Sequence, residues 1–147
     1  MFLTHGDDVA DHSVYHERFG CERIIHQGDG RVLREAEQTL SGTEPMKLDD
    51  GMLVIPVPGH TRGSCCLLYK SKYLFTGDHL AFSPRRGHLY AFRDACWYSW
   101  EEQVRSMEKL LDYSFEWVLP GHGRRVHLPA GEMRRSLERC VEWMKGR

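Results

Sequence analysis

The sequence predicts one α/β domain over residues 1–147, and three observations support this prediction. Short apolar runs that end at glycine or proline alternate with segments whose apolar residues recur every three or four positions. These are the patterns of buried strands and of amphipathic helices. The polar residues of greatest chemical interest directly follow the apolar runs, where open α/β sheets place their ligands. A chain of this length is also the usual size of a single domain with its own core.

The composition excludes several classes of protein. Lys and Arg number 20 against 21 Asp and Glu, and the net charge of −1 supplies no overall field for holding nucleic acid. No apolar run approaches the ~20 residues that a membrane span requires, and the amino terminus lacks a secretory signal, so we expect a cytoplasmic protein without a membrane partner. The five cysteines are odd in number and form no Cys-x-x-Cys pair, which predicts neither a disulfide framework nor a cysteine zinc site.

The amino-terminal part of the chain predicts strands and one helix. Residues 1–4 are a short apolar run, and we expect a strand there. A helix with an acidic first turn should begin at residue 7 or 8 and end at residue 19. Residues 24–25 predict a second short strand, and the continuous apolar run over residues 52–57 predicts a strand covered on both faces.

The remaining elements are a hairpin, a buried strand and two helices. Residues 65–69 and 73–75 flank a turn-like segment of three residues, which predicts a β-hairpin. Ser99 and Glu102 form a capping box at the start of one helix, residues 115–119 predict a buried strand, and a last helix closes the chain. The apolar positions of the two helices are Trp100, Val104, Met107 and Leu111, then Met133, Leu137, Val141 and Met144.

Three turns share one pattern, in which an apolar strand is followed by glycine and then by a histidine or an aspartate. They place His60, Asp78 and His122 each directly after a glycine. Glycine removes side-chain bulk and permits tight turns, so several such loops can converge on one point. Imidazole nitrogen and carboxylate oxygen are donors that Zn, Fe and Mn accept. The pattern therefore predicts a metal site formed by turns that are distant in sequence.

A fourth loop, over residues 5–12, contains further donors. His5, Asp7, Asp11 and His12 lie within it, and on a helix beginning near Asp7 the side chains at positions 8, 11 and 12 share one face. The acidic residues also have a structural interpretation, because an aspartate can cap a helix or complement its dipole without any metal. Both interpretations stay open at this stage.

These strings, in this order, are similar to the motifs of the metallo-β-lactamase superfamily. Members carry a His-x-His-x-Asp-His loop, a Gly-His-Thr-x-Gly-Ser-type loop, a Gly-Asp loop and a final Gly-His, and the last three stand here at residues 59–64, 77–78 and 121–122. The resemblance implies that His60 is the third-motif ligand, Asp78 the aspartate that bridges two metals, and His122 the last histidine. The amino-acid sequence of the first loop, over residues 4–12, resembles that of the glyoxalase II-like branch of the superfamily.

The first motif departs from the family pattern. Aligned on His5, the chain has Asp7 in the second histidine place, and a shift of two residues places Asp11 and His12 on the Asp-His pair. The family fold is an αβ/βα sandwich with several strands and a helix before this motif. We therefore expect a partial or N-terminally shortened domain of that type. An unpaired edge at residues 1–4 would then favour a homodimer.

The resemblance implies a metal-dependent hydrolase that acts on a small-molecule thioester, ester or lactone. One or two divalent ions would lower the pKa of a bound water, and the resulting hydroxide would attack the carbonyl. Asp11 is the candidate catalytic residue, because it could move the proton. Aspartate in a histidine place adds oxygen to the ligand set, which favours Fe or Mn over Zn. The candidate metal ligands are His5, Asp7, Asp11, His12, His60, Asp78 and His122.

Two alternatives accompany this hypothesis. The altered first motif also fits a non-catalytic, metal-poor scaffold or binding protein. A phosphodiester-cleaving enzyme of the same superfamily is a third option, which the near-neutral charge does not support. The segment over residues 85–100, rich in Tyr, Phe, Trp and Arg, would wall a substrate pocket or cover the core.

Overall fold

The structure, a computed structural model, describes residues 1–7, 9–30 and 35–146. Its helices are α1 (His12–Phe19), α2 (Trp100–Lys109) and α3 (Ala130–Lys145). Its strands are β1 (Ile24–His26), β2 (Gln38–Leu40), β3 (Met46–Asp49), β4 (Met52–Pro56), β5 (Cys65–Tyr69), β6 (Tyr73–Gly77), β7 (Ala81–Ser83), β8 (His88–Tyr90), β9 (Trp117–Pro120) and β10 (Val126–His127). Within these residues no helix is both long enough and apolar enough to cross a membrane.

A six-stranded sheet in the order β10-β9-β6-β5-β4-β3 forms the centre of the fold. Its strands pair antiparallel, except that β6 and β9 run parallel. One face packs against α2 and α3 and forms the main core, in which Leu74 and Val118 from the sheet meet Met107 and Leu137 from the helices. Two small sheets flank the centre, β1 with β2 and β7 with β8.

The structure contains the predicted hairpin, the predicted capping box and the predicted apolar face of the last helix. The hairpin of β5 and β6 has the predicted turn over residues 70–72. At the start of α2, the hydroxyl of Ser99 accepts a hydrogen bond from the backbone N–H of Glu102 at 3.3 Å, as the capping box predicts. Helix α3 buries Met133, Leu137, Val141 and Met144 against the sheet, which is its predicted apolar face.

The amino-terminal segment differs from the sequence prediction. Residues 1–4 form an isolated bridge between Phe2 and Ile24 rather than a strand, because the chain then leaves β1 and the carbonyl of Thr4 accepts from the N–H of Cys65 at 2.8 Å. Helix α1 begins at His12, because Asp11 has a left-handed backbone with φ of 62° that cannot continue a right-handed helix. The alternative start at residue 8 lies outside the described residues. Strands β2, β3, β7, β8 and β10 are not predicted from the sequence.

Candidate metal centre

Four side chains from three separate loops converge at one end of the central sheet. They are His5 and Asp7, His60 after β4, and Asp78 after β6, and their ligand atoms all lie within 4.8 Å of one another. Nε2 of His5 is 2.5 Å from Oδ1 of Asp7 and 3.7 Å from Oδ2 of Asp78. Nε2 of His60 is 3.0 Å from Oδ2 of Asp7 and 3.9 Å from Oδ2 of Asp78. Two imidazoles and two carboxylates thus share one small volume.

The loop that carries His60 is fixed by close backbone packing. A Cβ on Gly59 would lie 2.3 Å from Cβ of Gln103, so glycine alone lets this loop rest on the first turn of α2. Nδ1 of His60 donates to the carbonyl of Ala95 at 2.5 Å. Because a carbonyl only accepts, this hydrogen bond places the ring proton on Nδ1 and leaves the lone pair of Nε2 directed into the group.

Asp78 is held between two other loops. Gly77 before it has φ of 50°, and a Cβ there would lie 2.4 Å from the hydroxyl of Thr4, so the loop of His5 packs directly on the end of β6. On the other side, Nδ1 of His122 lies 2.9 Å and 3.0 Å from the two carboxylate oxygens of Asp78. His122 is 63% exposed and therefore stands at the mouth of the site.

The two imidazoles of the group are buried: the exposed fraction is 6% for His5 and 2% for His60. Burial lowers the pKa of His5, against the opposing effect of the Asp7 carboxylate, and this favours the neutral ring that binds metals. Within the described residues, Nε2 of either ring makes no hydrogen bond, although Asp7 oxygens lie 2.5 Å from His5 and 3.0 Å from His60. Buried polar atoms are normally satisfied, so two such atoms facing two carboxylates fit a bound cation.

The structure does not bring Asp11 and His12 into this group. Asp11 is exposed at the N-cap position of α1, where its side chain makes no capping hydrogen bond. Nδ1 of His12 accepts from the guanidinium of Arg23 at 3.1 Å. Arg23 also donates to Glu37, and these hydrogen bonds lower the pKa of that carboxyl group to about 2. A ligand role for Asp11 or His12, and proton transfer by Asp11, stay predictions.

An open cavity of about 370 Å³ lies over three of the four side chains, Asp7, His60 and Asp78. Nε1 of Trp97 donates to Oδ2 of Asp7 at 3.0 Å, a contact that the sequence did not indicate because the two residues are 90 positions apart. The aromatic segment over residues 85–100 therefore forms part of the wall. The lining residues are Asp7, His60, Asp78, Phe92, Ala95, Trp97 and His122.

Sequence comparisons give two relatives. No family model matches the chain. An uncharacterized protein YobT of Bacillus subtilis is 28% identical over 93% of this chain and 71% of its own length. A hydroxyacylglutathione hydrolase of Xanthomonas euvesicatoria is 32% identical over 61% of this chain, which corresponds to 35% of the hydrolase.

Solved structures show the same fold. The DIM-1 metallo-β-lactamase matches 97% of this chain with a TM-score of 0.68 and 22% identity, over 68% of its own length. The protein TTHA1623, solved in a di-iron-bound form, matches 92% of this chain with a TM-score of 0.64 and 22% identity, over 74% of its length. The chain thus spans roughly two thirds to three quarters of these structures and about a third of the hydroxyacylglutathione hydrolase.

Proposed function

We propose that this protein, which has the metallo-β-lactamase fold, is a metal-dependent hydrolase that cleaves a thioester, an ester or a lactone. The observation that carries the proposal is the pair of buried Nε2 atoms, on His5 and His60, that face the carboxylates of Asp7 and Asp78 without hydrogen bonds. A desolvated imidazole nitrogen beside a carboxylate is costly to maintain unless a proton or a metal ion lies between the two atoms.

The residues present fit one or two divalent cations. His5, Asp7, His60 and Asp78 would hold the metal, with His122 beside Asp78 as a further donor. A set of two nitrogens and two oxygens suits Zn, Fe or Mn, and carboxylate in a place where the fold family has histidine favours Fe or Mn. When bound, the metal would lower the pKa of a water molecule and would supply positive charge that stabilises a developing oxyanion.

The chain's own residues would orient the reactants. The Trp97 indole fixes the carboxylate of Asp7 through Oδ2, and Phe92 and Trp97 present apolar surface to an acyl group in the cavity. The hydrogen-bonded pair of Asp78 and His122 stands at the mouth of the site and can hold a proton at Nδ1 of the imidazole. An open cavity of this size suits a small molecule.

The comparisons support the substrate class without fixing it. The relative from Xanthomonas is named for hydrolysis of a hydroxyacyl-glutathione, whose scissile bond is a thioester. The di-iron form of a neighbouring fold supports a site for two metals. Because the Xanthomonas relative is named for a thioester substrate, we favour a thioester among the three substrate types.

A metal-poor scaffold is the second candidate. It is favoured by the position of Asp11 at the N-cap of α1 and of His12 in its first turn, outside the four-residue group, since a site with fewer ligands would hold metal weakly. The two candidates differ in metal dependence of activity, because a scaffold would hydrolyse nothing.

Purified protein loaded with Zn, Mn or Fe should hydrolyse a nitrophenyl ester or an acyl thioester, and a chelator should abolish the activity. His60→Ala should lose both the metal and the activity, whereas His127→Ala, on a half-exposed ring that stacks on Trp117, should keep both. Loaded protein without activity on any of these substrates would contradict the proposed function.

A further inference from the structure

We propose that Asp29 is a positioning residue that ties the loop of His5 and Asp7 to the loop of His60. Asp29 lies in the turn after β1 and is 8% exposed. The effect of Asp29 on metal affinity rests on the proposed function. The joining of the two loops by Asp29 does not depend on it.

The carboxylate of Asp29 contacts both loops. Its Oδ2 accepts from the backbone N–H of Gly6 at 2.9 Å and from the hydroxyl of Thr61 at 2.5 Å. Its Oδ1 accepts from the N–H of Gly63 at 3.0 Å. Gly6 lies between two of the proposed ligands, and Thr61 directly follows His60. One buried carboxylate therefore joins segments that are far apart in sequence.

The three groups that donate to Asp29 are uncharged, and together they solvate its buried carboxylate. A buried carboxylate without donors would be strongly unfavourable, and donors left without the carboxylate would lose their partners in turn. Hydrogen bonds to a charged group are stronger than those between neutral groups. The arrangement thus stabilises one relative position of the two loops over others.

Close packing leaves the turn and the loop little freedom to separate. A Cβ on Gly63 would lie 2.7 Å from Cγ of Asp29, and a Cβ on Gly28 would lie 2.7 Å from the backbone nitrogen of Gly63. Two glycines at the contact let the backbones touch, so the carboxylate reaches both loops with a short side chain. The hydroxyl of Thr61 is further held by Ser64, whose Oγ lies 2.8 Å away.

The structure also explains why this tie matters for the metal ligands. His5 and Asp7 lie outside the central six-stranded sheet, on a segment that makes one isolated bridge to β1 and one backbone hydrogen bond between Thr4 and Cys65 of β5. Their distance to His60 therefore depends on contacts such as those of Asp29. A ligand set held in place binds a metal more tightly than one that must be assembled.

The test compares Asp29→Asn with Asp50→Asn, which removes an exposed carboxylate that pairs with Lys47. In the metal-free protein, Asp29→Asn should speed hydrogen exchange at the amides of Gly6 and Gly63 by about ten-fold or more, because an amide group cannot accept from all three donors. The dissociation constant for Zn²⁺ or Mn²⁺ should rise by about ten-fold or more. The Asp50 variant should change neither quantity.

Thr61→Val provides a second variant if Asp29→Asn fails to fold. It removes one donor to Oδ2 and should raise the dissociation constant by about three-fold to ten-fold. Unchanged exchange and unchanged affinity in a folded Asp29→Asn or Thr61→Val protein would overturn the inference. If the unmodified protein binds no metal, the proposed function fails, and exchange at Gly6 and Gly63 still decides whether Asp29 joins the loops.

Discussion

Oδ2 of Asp7 lies 3.0 Å from the indole nitrogen of Trp97 and 3.0 Å from Nε2 of His60. One carboxylate oxygen thus meets both the wall of the cavity and a buried imidazole. Asp7 is itself exposed, so the indole restricts a side chain that would otherwise turn into solvent.

Trp97→Phe keeps an aromatic ring at the cavity wall and removes its N–H. We expect weaker metal binding by about three-fold to ten-fold, because Asp7 loses the donor that orients it. The control is Trp117→Phe. Trp117 is the first residue of β9, at the end of the strand away from the site, and its substitution should have no effect on metal affinity. Competition with a chromophoric chelator measures both. Equal affinities for the two variants would contradict an orienting role of Trp97.

Gly59→Ala should destabilise the fold by about 3 kcal/mol, because its Cβ would overlap Gln103 in α2 and its φ of 154° disfavours a side chain. Gly42→Ala is a matched control, since φ there is 93° but nothing lies within 4 Å of the added atom. We expect a cost of about 1 kcal/mol for this control. Chemical denaturation measures the free energy of unfolding, and equal costs at both sites would show that Gly59 and α2 are not in close contact.

Acid should weaken the fold through Glu37. Hydrogen bonds from Arg23 lower the pKa of Glu37 from 4.5 to about 2, so the folded state binds the proton less readily than the unfolded chain. The stabilisation is complete above pH 4.5 and is lost as the pH falls towards 2. Glu37→Gln should reduce the difference in unfolding free energy between pH 5 and pH 3, whereas exposed Glu17→Gln should not. An unchanged difference in Glu37→Gln would refute this assignment.

Association into a homodimer stays a prediction that follows from the half-buried amino-terminal segment. Residues 1–4 pair with β1 through a single bridge, and the opposite edge of this short segment can pair with another chain. Phe75, on the sheet face away from α2 and α3, is 39% exposed and adds apolar surface. Light scattering over a range of concentrations should give a mass of two chains. A mass of one chain at every concentration would contradict the dimer.

The convergence of three turns could be predicted because its causes are local. Each of His60, Asp78 and His122 follows a strand and a glycine, and strands that end at the same side of a sheet bring such turns together. The capping box at Ser99 could also be predicted from local sequence, since its donor, the N–H of Glu102, is three residues from its acceptor.

Other features depended on contacts that no local pattern encodes. The left-handed backbone of Asp11 moves the start of α1 and separates His12 from the group that contains His5 and Asp7. Asp29 gave no signal in the sequence, because its meaning comes from Gly6 and Gly63, which lie 23 and 34 positions away. The role of Asp29 therefore depends on long-range packing.

The most direct test of the metal site is anomalous scattering from crystals grown with Zn²⁺ or Mn²⁺. We predict a peak at coordination distance, about 2.0–2.2 Å, from Nε2 of His5 and Nε2 of His60 and from oxygens of Asp7 and Asp78. The peak should vanish in His60→Ala. A map without a peak between these four side chains, or full metal content in His60→Ala, would contradict the site.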